Sequence, residues 1–325
     1  MKRPQRLRAN PIIRDLVAQN EFSTGQLIQP LFLVEGIDED QAIDGLGETC
    51  RTPLSGAIAR IEQDMAVGVR NFIIFPVPAE KKEKDLKFEF GARAVAELKR
   101  RFGSAIQIWV DTCLCSFTAH GHCCLFHKNG NADHEATLSE LARSAKLMAD
   151  SGADGISPSD MMDGRVARIR CALDEAGHGL IPIMSYSTKF ASNFYGPFRG
   201  AADSAPRFGD RRQYQIDVRN RNDALQASIR CAEEGADLLM VKPGMSSIDL
   251  IADISRATGL GVGAYQVSGE YAGMLVLGER KLIDFRGALL ESWLVMKRAG
   301  AQYIVTYGAR HAKDLGVAVA PSARG

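Results

Sequence analysis

Hydrophobic positions in this chain gather into short continuous runs instead of alternating with polar ones. Eight such runs follow one another: Leu27–Val34, Asn71–Val77, Ala105–Val110, Gly155–Ser157, Ile181–Ser185, Leu238–Val241, Gly261–Val267 and Tyr303–Tyr307. A run of this kind predicts a strand covered on both faces, as in a parallel sheet. Between them lie stretches with helical spacing or dense in helix formers: Gly56–Ala66, Ala92–Phe102, Thr137–Asp150, Val166–Ala176, Ala224–Glu234, Ile248–Thr258 and Ala288–Ala299. Tyr271–Gly278 adds a short one. The joints repeat as well. Ser151-Gly-Ala-Asp154, Glu234-Gly-Ala-Asp237 and Ala299-Gly-Ala-Gln302 each stop a helix on glycine and begin a strand, and Val67-Gly-Val-Arg70 is a looser copy.

Eight strands alternating with helices predict an α/β fold, a (β/α)8 TIM barrel, over residues 23–316. An open doubly wound sheet would carry a glycine-rich phosphate loop after its first strand, and Val34-Glu-Gly-Ile-Asp-Glu-Asp40 is not one. Residues 1–22 read as an N-terminal extension arm outside the barrel, either a solvated basic face or an intersubunit arm. Residues 317–325 read as a flexible tail.

Charge is nearly balanced, with 40 basic and 39 acidic residues for a net of +1. That field favours neither nucleic acid nor a membrane surface as partner. No apolar run reaches the ~18 residues of a membrane span, and the basic start lacks the apolar stretch of a signal peptide. The expectation is a cytoplasmic protein whose seven cysteines serve as thiols or metal ligands.

In a barrel the active site lies where the strands end. Those ends read Asp111-Thr-Cys113, Ser157-Pro-Ser-Asp160, Ser185-Tyr-Ser-Thr-Lys189, Lys242, Tyr265-Gln-Val-Ser268 and Thr306-Tyr307. Lysine is costly there: free lysine, with a pKa near 10.4, is only about 0.04% neutral amine at pH 7. Desolvation or a second cation lowers that pKa and makes a Schiff base with a ketone possible. One such lysine is as easily a structural or phosphate-binding group; Lys242 and Lys189 in matching positions point to imine chemistry.

Asp111 to Cys124 places four cysteines and two histidines, His120 and His122, in fourteen residues. Cys113 and Cys115 can share one ion, and a seven-residue loop can return Cys123 or Cys124 to it; spacing leaves that choice open. Three thiolates with one open position suit a catalytic Zn2+. Cys50, Cys171 and Cys231 stand alone and read as core residues. The long segment from Phe194 through Arg199 and Arg211-Arg212 to Gln215 reads either as a lid or binding loop, its arginines suited to a carboxylate, or as a solvated surface charge run.

Six stretches then carry a resemblance: Ser157-Pro-Ser-Asp-Met-Met-Asp-Gly164, Met184-Ser-Tyr-Ser-Thr-Lys-Phe-Ala-Ser192, Phe194-Tyr-Gly-Pro-Phe-Arg199, Phe208-Gly-Asp-Arg-Arg212, Met240-Val-Lys-Pro-Gly244 and Tyr265-Gln-Val-Ser-Gly-Glu-Tyr271. Together they closely resemble the porphobilinogen synthase family, also called δ-aminolevulinic acid dehydratases, from about Arg3 to His311. The resemblance implies condensation of two 5-aminolevulinate molecules into porphobilinogen, with loss of two waters, in tetrapyrrole (heme) biosynthesis. It implies Schiff bases on Lys242 for the first substrate and on Lys189 for the second. Ser268 and Tyr307 match the residues around the first carboxylate; Arg199, Arg211 and Gln215 match those around the second. Asp111 matches the aspartate beside the reacting amine, and Cys113, Cys115 and Cys123 match the zinc ligands of zinc-type members. A homo-oligomer is implied as well, an octamer first, with hexamer or dimer as alternatives.

Three departures stand out. The segment from Val77 to Lys87 is shorter than the family's and reads Val-Pro-Ala-Glu-Lys-Lys-Glu-Lys-Asp-Leu-Lys, which bears on subunit contacts. Ser116-Phe117 replaces Pro-Tyr, with Ala119 in place of Ser or Thr. Ala227 falls where members with an allosteric Mg2+ carry glutamate, so that site is not expected. The competing reading is a non-catalytic or altered-substrate paralogue on the same barrel.

Overall fold

The computed structural model describes residues 3–321. Its eight main strands are β1 (Leu27–Val34), β2 (Asn71–Val77), β3 (Gln107–Thr112), β4 (Gly155–Pro158), β5 (Met184–Lys189), β6 (Leu238–Lys242), β7 (Gly261–Tyr265) and β8 (Ile304–Val305). They pair in parallel in the order β4-β3-β2-β1-β8-β7-β6-β5. The two ends meet through one parallel bridge, Ile156 to Ile183, where Ile156 N–H donates to Pro182 O at 3.0 Å. Ser157 Oγ adds a bond to Met184 O at 2.8 Å. The sheet is thus a nearly closed eight-stranded barrel, and closure removes the free edges an open sheet would leave.

The glycine joints behave as the repeat demands. Gly68, Gly152, Gly235 and Gly300 have φ of +93°, +94°, +99° and +105°, a region closed to residues with a Cβ. The aspartates that follow two of these joints do further work at the strands' entry ends. Asp154 accepts from Ile108 N at 2.8 Å and Asp237 from Ile183 N at 2.7 Å, each tying its joint to the neighbouring strand.

Six of the seven intervening helices begin two or three residues earlier than periodicity indicates, or coincide with it, as Ile248–Thr258 does. The short helix expected over Tyr271–Gly278 is a full element, Ser268–Glu279. The fifth strand is the main correction: Met184–Lys189 replaces the apolar run Ile181–Ser185. Ile181 instead closes a turn onto His178 O, and the strand proper is polar yet wholly buried. The hydroxyls of Ser187 and Thr188 are satisfied from the helix Arg221–Glu233: Thr188 Oγ1 donates to Ala224 O at 3.0 Å, and Ser228 Oγ lies 2.9 Å from both Thr188 Oγ1 and Ser187 Oγ. Buried polar groups are tolerated where they pair.

The arm carries a 3-10 turn, Pro4–Arg8, and a one-and-a-half-turn helix, Pro11–Leu16, capped by Asn10. Leu7, Ile12 and Leu16 are exposed on it. The stretch expected as a loose tail starts out tied down. Thr24 N–H donates to Ala318 O at 2.9 Å and Ala320 N–H to Thr24 Oγ1 at 3.0 Å, while residues 322–325 lie outside the described residues. No helix among the described residues is long and apolar enough to cross a membrane.

Candidate active site

Lys189 ends β5 and Lys242 ends β6, and the two are direct register partners. A β-bulge makes them so. Ser185 faces Leu239 and Thr188 faces Val241, so Tyr186 and Ser187 together oppose Met240. Without the extra residue Lys189 would stand opposite Pro243 and point to the other face of the sheet.

The two amines have different surroundings. Lys189 Nζ donates to the backbone carbonyl of Ser159 in the loop after β4. No hydrogen bond from the Lys242 amine is found among the described residues. It sits in a box of rings, 3.9 Å from the centroid of Tyr265, 4.9 Å from Phe198, 5.0 Å from Tyr186 and 5.4 Å from Tyr195. Burial first, and the charge of Lys189 second, pull the Lys242 pKa down to about 7, against the opposing pull of Asp111. A buried amine near neutrality is a nucleophile.

Asp111, at the end of β3, shares this mouth. Its Oδ1 is sealed from water without a partner. Burial, then the neighbouring Cys115, push its pKa up to about 7, while Lys189 and Lys242 work the other way. The site therefore holds an amine and a carboxyl both poised near neutral pH, as proton transfer requires.

Cys113, Cys115 and Cys123 converge beside Asp111, all buried, with their sulfurs within 4.8 Å of one another. Burial pushes the Cys113 thiol up, while hydrogen bonds from Cys113 and Cys123 hold Cys115 low. Cys124 turns away into the apolar core, where burial pushes its thiol up to about 12. The three converging sulfurs form a candidate metal site, and their donor set fits a thiophilic ion. Of the remaining cysteines only Cys231 is in the core; Cys171 is exposed and Cys50 half-buried, contrary to the sequence expectation, because each lies on an outer face of its element.

The segment after β5 folds over the mouth as a lid. Phe198, on the short helix Gly196–Ala201, packs on Phe75 and Phe32 of the barrel interior at 5.1 and 5.5 Å between centroids. Arg199 is half-buried with Nε unpartnered, and burial together with the charge of Arg211 pulls it below the usual guanidinium range. Arg211 donates to Gly121 O at 2.8 Å and to Ser204 O, but its Nε is also free. Both amide atoms of buried Gln215 lack partners. Two neighbouring cations and an unpaired amide call for an anionic ligand. On the opposite side Ser268 Oγ accepts from Phe198 N at 3.1 Å, and the Tyr307 hydroxyl lies 3.2 Å from that of Tyr265.

Sequence reasoning missed several contributors. The ring box around Lys242 is present in the sequence only as Tyr186, Tyr195, Phe198 and Tyr265 scattered through three family motifs, with no sign that the four rings surround one amine. His122, noted as part of the cysteine loop, is no ligand here: its ring nitrogens face Tyr214 Oη at 3.0 Å and Phe208 O at 2.8 Å, holding the lid to that loop. The short segment Val77–Lys87 docks there as well, with Lys82 N–H donating to Phe117 O at 3.0 Å and Lys81 paired to Asp203 of the lid at 2.8 Å.

A parallel eight-stranded barrel with two buried lysines paired at adjacent strand ends defines the class as a (β/α)8 barrel whose mouth carries two amines. The comparisons with known proteins narrow that class. A family model described as delta-aminolevulinic acid dehydratase matches residues 1–315. The chain is 42% identical over 313 residues to the delta-aminolevulinic acid dehydratase of Halalkalibacterium halodurans, covering 95% of each chain. It is 38% identical to that of Helicobacter pylori, covering 97% of this chain and 98% of the other. Among solved structures it matches a delta-aminolevulinic acid dehydratase (porphobilinogen synthase) from Toxoplasma gondii in complex with the reaction product porphobilinogen. That match has a TM-score of 0.93 and 34% identity, over 97% of this chain and 91% of the other. The chain belongs to the delta-aminolevulinic acid dehydratase family.

Proposed function

We propose that this chain condenses two molecules of 5-aminolevulinate into porphobilinogen with loss of two waters, a hydro-lyase reaction of tetrapyrrole synthesis. The observation that carries the reading is the register pairing of Lys189 with Lys242 beside Asp111. A single-lysine aldolase has no use for a second buried amine in the adjacent strand. Lys242, held near neutrality in its ring box, attacks the keto carbon of the first substrate, and water leaves as the imine forms. Lys189 holds the second substrate in the same way. Asp111 takes and returns the proton at the reacting substrate amine. Ser268 and Tyr307 bind the first carboxylate. Arg199, Arg211 and Gln215 bind the second, which supplies the partners their buried nitrogen and oxygen atoms lack.

Cys113, Cys115 and Cys123 would hold Zn2+, the ion that three thiolates and one open position suit. When bound, such an ion supplies Lewis acidity at its open position and acidifies a bound water. The arm, residues 1–22, exposes Leu7, Ile12 and Leu16, which packing against another copy would cover, in keeping with a homo-oligomer and an octamer first. Domain limits of 23–316 for the catalytic barrel and a cytoplasmic setting complete the reading.

Borohydride added with 5-aminolevulinate tests it. Peptide mass spectrometry should find reduced adducts on Lys242 first and on Lys189 second, in a preparation that makes porphobilinogen. An active preparation with Lys242 unmodified would overturn the assignment.

A further inference from the structure

Arg165 is among the most deeply buried side chains of the molecule, 1% exposed, and Asp160 beside it is 0% exposed. A buried guanidinium and carboxylate are costly to desolvate, and their own contact is loose, with Arg165 Nε 3.5 Å from Asp160 Oδ2 and neither atom hydrogen-bonded. Mutual attraction is thus a poor reason for the pair to be there. What the two groups do hold is backbone next to Lys189. Arg165 donates through Nη1 to Met162 O at 3.0 Å, and through Nη2 to Tyr186 O at 3.1 Å and Ser185 Oγ at 3.3 Å. Asp160 Oδ1 accepts from Met162 N at 2.7 Å.

Each of these contacts falls on a feature that sets the position of the Lys189 amine. Tyr186 is a residue of the bulge that brings Lys189 into register with Lys242. Ser159, Asp160, Met161 and Met162 form the loop whose Ser159 carbonyl accepts from Lys189 Nζ. Within that loop Met161 has φ +78°, a left-handed conformation unfavourable for a residue with a Cβ, which persists only when its surroundings impose it. The guanidinium spans the bulge and the loop, fixing one against the other.

We infer that Arg165, braced by Asp160, is a positioning residue for the second-substrate lysine, and that it sets the alignment of Lys189 without touching substrate. None of the hydrogen bonds of Arg165 falls on the strand or turn that carries Lys242. It meets that amine's surroundings only through Tyr186, one of four rings, while the other three and Glu270, which accepts from Met245 N at 2.9 Å in the turn after β6, hold Lys242 without it. The proposal rests on the two-lysine reading of the site, and its test separates the two. In the full-length Arg165→Met protein, borohydride trapping of 5-aminolevulinate should fall at least about tenfold at Lys189 and change less than about twofold at Lys242. Turnover should fall about 100-fold through kcat, as a displacement of order 1 Å in a reacting group costs.

Reductive methylation with formaldehyde, which requires no substrate recognition, gives the independent arm. The labelling ratio of Lys189 to Lys242 should shift at least about threefold when the Ser159 carbonyl is no longer held in place. Wild-type protein that traps 5-aminolevulinate on neither lysine would remove the functional reading, and the methylation ratio would still judge this one. Arg165→Lys keeps the buried charge but cannot span both carbonyls. It should show the same asymmetry, and covers the case in which Arg165→Met does not accumulate; Asp160→Asn should show it in milder form. An unchanged methylation ratio, or equal losses at both lysines, would overturn the proposal and leave Arg165 a general packing residue.

Discussion

β5 and β6 lie side by side, end in lysine at the same level, and are built in opposite ways. β6 is Leu-Leu-Met-Val-Lys, apolar until its last residue, and its amine ends among four aromatic rings with no hydrogen-bond acceptor in the described structure. β5 is Met-Ser-Tyr-Ser-Thr-Lys, hydroxyl-rich and bulged, and its amine is held by a carbonyl. The difference teaches how one barrel mouth makes two lysines unlike. Desolvation lowers the pKa of the first amine, while a polar scaffold holds the second in place.

The sharpest break of this comparison is chemical. Lys242→Ala should lower porphobilinogen formation by about 10⁴-fold or more, and no adduct should remain at the first site. Lys189→Ala should be as inactive in turnover yet still trap one substrate on Lys242; loss of that adduct would mean the amines do not act separately. Arginine at either position keeps charge without a nucleophile and should be equally inactive.

Next in size is the thiol site beside both lysines. Chelation, or Cys115→Ala, should reduce turnover about 10²–10³-fold, with Zn2+ but not Mg2+ restoring the chelated protein. Cys124→Ala should leave activity within about twofold, since that thiol packs in the core. Full activity after exhaustive chelation would refute a catalytic metal there.

A third test uses pH. Burial holds the folded pKa of Lys242 at about 7 against about 10.4 unfolded, so below pH 7 the native state carries a buried cation at its full cost. That cost is relieved as pH rises from about 7 to about 10, where the unfolded chain binds the extra proton. Lys242→Met should therefore raise Tm at pH 6 by several degrees, and the gain should shrink through that window; a gain independent of pH would show the cation costs nothing. By the same shift the acid limb of wild-type kcat/KM should centre near pH 7.

The smallest effect concerns the polar scaffold. Thr188→Val keeps the shape of β5 but removes two buried hydrogen bonds, to Ala224 O and to Ser228 Oγ, and should cost about 1–3 kcal/mol in denaturant unfolding. An isosteric change in apolar β6, such as Leu239→Met, should cost less than about 1.5 kcal/mol.

Most of the barrel was legible because parallel strands are covered on both faces, and such burial writes itself as unbroken apolar text. β1 and β2 have the limits their runs indicate, Leu27–Val34 and Asn71–Val77. β5 was misplaced for the converse reason. Its residues are buried but polar, and their partners, Ala224 and Ser228, lie some forty positions away. The strand-end groups Lys242, Lys189, Asp111 and the cysteine loop stood out as polar residues where apolar runs stop. Arg165 and the ring box did not, and Asp160, though it stands at a strand end, gave no sign of its partner, because a side chain's partners carry no pattern until the fold assembles them.

By itself the sequence determined the element order, the barrel, the glycine joints and the set of reactive groups at its mouth. All of these follow from local properties: periodicity, left-handed glycine and the chemistry of a side chain at a strand end. Only the tertiary structure decided that a bulge at Tyr186 and Ser187 makes Lys189 the partner of Lys242, and it brings to Cys113 and Cys115 the sulfur of Cys123, a choice that spacing left open and only the family resemblance implied. It alone also gave Arg165 the backbone on both sides of Lys189 to hold. Register, convergence and desolvation are relations between segments distant in sequence, and they take values only once the barrel closes.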